Sequence, residues 1–275
     1  MEKIKRGLAP VREATTLQVF LQASGYDVVP DGNFGLGTEK ALKQFQQDNG
    51  LIVDGVAGEK TWTTLFAKHP DLLTTMSAKW LSQADISNFA DSNRLTVPLV
   101  RAVYAVESGG SGFIGDKPKI LFEGHVMWSQ LKALGMNPLS YVAGNEDILF
   151  EKYTKSSYVG GAAEYQRLDR ARKISDTAAL SSASWGLFQI LGLHAKPLGY
   201  ADVQSFVAKM TSSEADQLDA FGKFIQIKQF KGRPLIDSLR IKDWATFAEG
   251  YNGSSYKTNK YDEKLAQAHA EYSNA

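Results

Sequence analysis

Glu107 is the residue whose surroundings best suit it to chemistry. It closes the apolar series Leu99, Val100, Val103 and Val106, whose spacing predicts a buried helix, and Ser108-Gly109-Gly110 then opens the chain beside it. A carboxyl group at a helix C-terminus faces the negative end of the helix dipole, and partial burial also disfavours its charged form. Its pKa is therefore expected to rise, which a general acid working near neutral pH requires. Two later segments carry groups suited to a polar polymer. In Ser184-Trp185-Gly186-Leu187-Phe188-Gln189-Ile190, Gly186 permits close backbone approach. Trp185 or Phe188 offers a face to a sugar ring, and Gln189 offers an amide to hydroxyl or acetamide groups. In Tyr251-Asn252-Gly253 the phenol can orient the acid and Asn252 can hold an N-acetyl group, although Asn-Gly also makes an ordinary helix end. Ser108, Trp185, Gln189, Tyr251 and Asn252 are thus the expected substrate contacts around an acid, Glu107, placed to cleave a glycosidic bond.

A second carboxylate is needed if water is to be activated. An inverting glycosidase sets its base about 6.5–9.5 Å from the acid. Glu123, in Glu123-Gly124-His125 at the start of a predicted helix, is placed ahead of Asp116 in Gly115-Asp116-Lys117-Pro118, because a helix start favours the ionised form. Glu123 and His125 could equally buttress that helix. Other chemistries fit poorly. There is no Gly-x-Ser-x-Gly elbow and no cysteine. The four histidines, His69, His125, His194 and His269, lack metal-ligand spacing. Asp31 to Gly35 is not a calcium loop, since Gly35 and Leu42 occupy places where an EF-hand needs oxygen ligands. Neither a metal nor a cofactor is expected.

The elements that must position these residues are mainly α-helical. Helical patterns cover residues 98–106, 123–134, 163–174, 212–227 and 241–251, with Pro98 suited to a first turn and Ser212 and Glu214 near the start of the fourth. The Gly- and Pro-rich stretch 108–122 has room for a small β-hairpin lobe. Ahead of these lies an internal repeat. Leu21-Gln22 to Gly25 leads to Asp31-Gly32-Asn33-Phe34-Gly35 and Thr38; Phe45-Gln46 to Gly50 leads to Asp54-Gly55-Val56-Ala57-Gly58 and Thr61. Asp-Gly favours tight turns, and Thr38 and Thr61 are suited to capping the helices that follow. Helical stretches around Leu17 to Leu21, Ala41 to Phe45 and Trp62 to Phe66 make this a three-helix unit. Residues 70–78 read as a short linker, and Trp80, Leu81 and Ile86 begin a second unit.

Bulk properties narrow the partners. The 275 residues carry 31 basic and 30 acidic side chains, a net charge of +1, which lacks the basic footprint of a nucleic-acid binder. Lys3, Lys5, Arg6 and Arg12 form a local basic cluster, read as a solvated polar start. Met1 to Pro10 has no apolar core of a secretory signal, and no run approaches the roughly 20 apolar residues of a membrane span. Stable membrane insertion is not expected, and a monomer is.

The front repeat resembles the N-terminal peptidoglycan-binding domain of many wall hydrolases. The shared marks are the leading Leu-Gln, the paired Asp-Gly-x-x-Gly turns, Phe-Gln-x-x-x-Gly-Leu and the closing Thr-Trp-x-x-Leu. The resemblance implies a wall anchor over residues 1–70, with Asp31, Asn33 and Phe34 as a candidate ligand-facing turn, unless they merely build it. The remainder is similar to the goose-type lysozyme and lytic transglycosylase superfamily, and within it to the N-acetylmuramidase domain of modular bacteriophage endolysins. Glu-Ser-Gly-Gly, Phe122-Glu123-Gly124-His125 and Ser-Trp-Gly-Leu-Phe-Gln-Ile carry that likeness. Phe188 stands where the superfamily usually has Met, and Glu249-Gly250 precede the Tyr in place of Ala. The resemblance implies a lysozyme-like catalytic domain over residues 76–275. Glu107 would be its acid, cleaving between N-acetylmuramic acid and N-acetylglucosamine in peptidoglycan. It also implies an enzyme held in the host cytoplasm until lysis. A lytic transglycosylase, whose substrate supplies the attacking hydroxyl, and a non-catalytic wall-binding protein are the alternatives.

Overall fold

The computed structural model describes residues 1, 3–9, 11–108, 110–153 and 158–274. Two hydrophobic cores organise the chain. The first is built by β1 (Ile4–Lys5), α1 (Val11–Ala23), α2 (Leu36–Asp48), β2 (Val56–Ala57) and α3 (Glu59–Lys68), with β1 antiparallel to β2. Leu17, Phe20, Leu21, Leu42, Phe45, Trp62 and Leu65 fill it. The sequence repeat becomes a repeated hydrogen-bond device. The Gln18 amide donates to Asp31 Oδ1 (2.8 Å), the Asn33 carbonyl (3.0 Å) and Thr38 Oγ1 (2.9 Å), and its oxygen accepts from the Gly32 N–H (2.9 Å). Gln46 does the same one repeat later, to Asp54 Oδ1 (3.0 Å), the Val56 carbonyl (3.0 Å) and Thr61 Oγ1 (3.4 Å), accepting from Gly55 N–H (3.0 Å). This corrects one expectation. The N-caps are Gly35 and Gly58, and Thr38 and Thr61 lie inside the first turns because their hydroxyls serve the two glutamines.

The stretch 70–78, expected as a linker, is mostly helix. Pro70 starts α4 (Pro70–Ser77), and Leu72, Leu73 and Met76 pack back onto the first core. The second core begins with α5 (Gln83–Asn93), capped by a reciprocal Ser82–Asp85 box, and α6 (Val97–Glu107), with Pro98 in its first turn. A hairpin of β3 (Phe113–Ile114) and β4 (Lys117–Pro118) follows, inside the expected lobe. Then come β5 (Ile120–Phe122), α7 (Gly124–Ala133), α8 (Glu164–Ile174), α9 (Asp176–Ser181), β6 (Ala183–Trp185) and β7 (Ile190–Leu191). Strands β5, β6 and β7 form one antiparallel sheet, with Ile120 opposite Trp185 and Trp185 opposite Ile190.

The chain ends with α10 (Val203–Ser212), α11 (Glu214–Ile227), the hairpin β8 (Gln229–Phe230) and β9 (Arg233–Pro234), α12 (Leu235–Arg240), α13 (Trp244–Asn252) and α14 (Tyr261–Ser273). The pattern over 212–227 is not one helix. Ser212 ends α10, and Ser213 caps α11, accepting from the Asp216 N–H. The pattern over 241–251 starts late, because Asp243 caps α13 through the Thr246 N–H. α14 escaped the sequence reading because Leu265 is its fully buried apolar side chain, so no strong stripe marks it. It packs along α6, the helix that carries Glu107.

Candidate active site

Burying Leu99, Val100, Ala102 and Val103 fixes α6 and puts Glu107 at its C-terminal end. The carboxyl group is half-buried, and burial pushes its pKa from 4.5 to about 7. Two groups oppose that rise: the Asn252 amide, which donates to Glu107 Oε1 at 3.0 Å, and the more distant Lys264 ammonium. Asn252 ends α13; Tyr261 and Lys264 open α14. The Glu107 charge, after burial, helps to raise the phenols of Tyr251 and Tyr261. The sequence reading missed Tyr261 and Lys264, for which no motif provided a signal.

Tyr251 does not orient the acid through its hydroxyl, as expected. That hydroxyl donates to the Phe188 carbonyl at 2.6 Å, and the ring stacks on Phe247, so the residue fixes the 186–189 turn instead. Within that turn Gly186 has φ +72°, and a Cβ there would lie 2.5 Å from the Gln217 side chain. Gln189 takes φ +48°, uncommon for a non-glycine residue. Its amide donates to the Gly186 (2.8 Å) and Lys119 (3.3 Å) carbonyls, and its oxygen lies 3.2 Å from the Ser184 hydroxyl that donates to it. These bonds occupy Gln189 in holding its own loop. Trp185 corrects another expectation: it is 3% exposed and its indole N–H donates to the Leu180 carbonyl at 3.1 Å, leaving no ring face for a sugar. Phe188 is likewise buried, stacked 4.3 Å from Phe221. Ser108 is buried, and its oxygen accepts from the Gly110 N–H at 3.1 Å; Gly109 lies outside the described residues.

The two candidate bases sit in different settings. Glu123 joins β5 to α7, its N–H donated to the Ser182 carbonyl at 2.9 Å. Its side chain caps nothing, and burial raises its pKa, against the helix-start expectation. His125 Nε2, 3.5 Å away, and the neighbouring Tyr158 phenol, which falls short of full hydrogen-bond geometry, hold that rise down. Asp116 is exposed at the β3–β4 turn, where its backbone carbonyl receives Lys79 Nζ at 2.9 Å. Among the described residues no cluster of metal-ligating side chains forms.

Two residues of α11 seat the loops around Glu107: Glu214, read from sequence only as part of a helix start, and Gln217, which the sequence reading passed over. Gln217 accepts from the Leu187 N–H at 2.7 Å, and its oxygen lies where a Cβ on Gly112 would stand. Glu214, 0% exposed, accepts from the Gly112 N–H at 2.9 Å. The cap Ser213-x-x-Asp216 was their available signal, since it places both in the first turn and a half of a helix. Arg12, read as part of a solvated start, in fact pairs with Glu214.

An acid with a pKa near neutrality, buttressed by Asn252 and flanked by the seated loops 108–112 and 186–189, is equipment for protonating a leaving oxygen. The sequence model of the N-acetylmuramidase family matches residues 96–273, which hold this whole arrangement. The chain belongs to the N-acetylmuramidase family. This muramidase is therefore a glycoside hydrolase. Residues 12–65 match the model described as a putative peptidoglycan binding domain. Over its full length the muramidase is similar to the crystal structure of Burkholderia AP3 phage endolysin. The two are 41% identical, with 100% of each chain covered and a TM-score of 0.69. A shorter likeness, 42% identity over 55 residues, links it to the N-acetylmuramoyl-L-alanine amidase CwlM of Mycobacterium tuberculosis. That match spans 20% of this chain and 14% of CwlM, and nothing of the amidase activity is carried over.

In the muramidase's front unit the expected ligand-facing turn leaves Asp31 and Asn33 exposed and turns Phe34 inward. Phe34 is 5% exposed and belongs to the core, while Asp31 Oδ1 is taken by Gln18 and by the Asn33 N–H (2.8 Å). The second turn presents apolar surface: Ile52 and Val53 are 78% and 50% exposed, and Ile52 lines a groove with Lys3, Leu51, Glu59 and Lys60.

Proposed function

We propose that this muramidase cleaves the β-1,4 bond between N-acetylmuramic acid and N-acetylglucosamine of bacterial peptidoglycan, as a phage endolysin that lyses its host. The observation that carries the reading is Glu107, a half-buried carboxylic acid with a pKa near 7 held by Asn252. In the protonated form it donates to the glycosidic oxygen as the bond from that oxygen to the anomeric carbon breaks. Water attacks that carbon, and its proton goes to Glu123, or else to Asp116. Asn252 keeps Glu107 aimed. Gln189, Tyr251 and Ser108 act by holding the loops that shape the cleft.

Residues 1–70 anchor the enzyme on the wall and residues 76–275 cut it. The anchor's ligand surface is the groove at Ile52, with Val53 beside it, and tethering there raises the local concentration of glycan at the cleft. The protein acts as a monomer and waits in the host cytoplasm until lysis admits it to the wall. No described helix is long and apolar enough to cross a membrane.

A lytic transglycosylase is favoured by one observation: burial raises the pKa of Glu123, the leading candidate base, and so favours the protonated form that cannot take a proton from water. Mass spectrometry of digested peptidoglycan separates the readings. Reducing N-acetylmuramic acid ends, absent with Glu107→Gln, are the expected result. Anhydro-muramyl ends would convert the reading to a transglycosylase. No release by the wild type would leave a binding protein. Ile52→Asp is expected to weaken sacculus pull-down while leaving the rate on soluble glycan strands unchanged.

A further inference from the structure

One guanidinium crosses between the two cores. Arg12 of α1 donates through Nη2 to the Tyr104 hydroxyl at 2.6 Å and to Glu214 Oε2 at 2.5 Å. Tyr104 lies on α6 one turn before Glu107, and its carbonyl accepts the Ser108 N–H at 3.1 Å. Glu214 holds the segment just beyond: Oε1 accepts from the Gly112 N–H at 2.9 Å, and Oε2 also accepts from the Leu81 N–H at 2.8 Å. The Glu214 N–H in turn donates to the Lys79 carbonyl at 2.8 Å, at the junction after α4. Arg12 therefore grips the acid's neighbourhood from both sides, upstream through Tyr104 and downstream through Glu214 and Gly112.

The pairing is tight for a reason. Glu214 is 0% exposed and the Arg12 side chain only 19% exposed, so bulk water cannot reach the carboxylate and reaches the guanidinium only in part. A buried carboxylate that loses its cation takes up a proton or admits water, and both weaken its hold on backbone donors. The Gly112 carbonyl accepts from the Lys119 N–H at 2.8 Å and from Gln217 at 3.4 Å, so the side of Gly112 that Glu214 alone holds is its N–H, and Gln217 leaves no room beside its Cα for it to shift. A slack Gly112 frees the turn that begins at Ser108.

Resting on the reading of Glu107 as the acid, we infer that Arg12 is a positioning residue for catalysis, through which the docked anchor completes the acid's setting. The wall-binding unit then acts on the rate constant as well as on residence at the wall. A tether alone would change only the effective concentration of substrate.

The test uses the full chain on two substrates: intact sacculi and short soluble glycan strands. Arg12→Met is expected to lower kcat on the soluble strands on the order of ten- to a hundredfold, because small misplacements at a reacting centre are that costly. KM and sacculus pull-down stay near wild type. The alkaline limb of kcat/KM moves to lower pH as Glu107 gains water, a change that loss of stability alone would not produce. Arg12→Lys, which keeps a cation for Glu214, restores most of the rate. If Arg12→Met does not fold, Tyr104→Phe removes one acceptor only and is expected to shift the same limb in the same direction. Wild-type kcat and an unmoved pH profile in the folded variants would overturn the inference and leave the anchor a tether. A wild type inert towards sacculi would instead overturn the hydrolase reading, and this inference with it.

Discussion

Asn252 Nδ2 stands 3.0 Å from Glu107 Oε1, joining the last residue of α13 to the last residue of α6. An amide donor stabilises the charged carboxylate, so this bond restrains the rise that burial imposes. Asn252→Ala removes the restraint and the aim together. Its kcat/KM profile is expected to keep its alkaline limb at higher pH than wild type, with a lower maximum rate. An alkaline limb that stays in place or moves down would refute the assignment of Asn252 as the acid's partner.

The raised pKa of Glu107 also sets the pH dependence of both rate and stability. As a general acid it must carry its proton, so the rate is expected to fall as pH rises through about 7. For stability the folded chain keeps this proton up to about 7, whereas the unfolded chain loses it near 4.5. The contribution is therefore fully present below about 4.5 and lost as pH rises to about 7, where its loss levels off at roughly 3 kcal/mol. Glu107→Gln removes that dependence. In urea titrations it should match wild type near about pH 4 and exceed it near about pH 8, where wild-type Glu107 is ionised. Equal midpoints at both values would show that the carboxyl group is not buried as described.

Much of this was legible in the chain because strong local signals coincide with structure. The Asp-Gly repeat is visible in sequence, and the structure turns it into two glutamine-centred knots. Pro98 and the apolar spacing of α6 locate Glu107 at a helix end. What was not legible depends on partners distant in sequence. Whether Trp185 faces a sugar or the core is decided by the Leu180 carbonyl, and whether Arg12 is solvated is decided by Glu214. Tyr261 and Lys264 reach the acid only because α14, with its faint apolar stripe, lies along α6.

Trp185 gives a direct test of core against cleft. Trp185→Phe deletes the indole donor to Leu180 and leaves that carbonyl short of a partner inside the core. The expected cost is about 1–3 kcal/mol of unfolding free energy, from the lost bond and the imperfectly filled space. KM on sacculi should be unchanged, since no face of the ring reaches the substrate. A raised KM at unchanged stability would return Trp185 to the binding cleft.

The glutamine pair permits a matched comparison inside one small core. Gln46→Leu strands the Gly55 N–H and removes a bond from Thr61 and from the Val56 carbonyl, which keeps the Gly58 N–H; Gln18→Leu strands the Gly32 N–H and removes a bond from Thr38 and from the Asn33 carbonyl, which keep each other and, for the carbonyl, the Gly35 N–H. Each N–H left without an acceptor costs up to about 1–3 kcal/mol, and the replacement leucine cannot serve it. Both variants are expected to melt the front unit early and to release sacculi at temperatures where wild type stays bound. Because the two knots repeat one geometry, the losses should agree to within about 1 kcal/mol, the scatter expected of such bonds. The turn at Asp54 lies nearer the exposed Ile52 and Val53 than the turn at Asp31 does. At a temperature where both variants are still folded, Gln46→Leu should therefore weaken wall binding more than Gln18→Leu. The reverse order would place the ligand surface at the first turn.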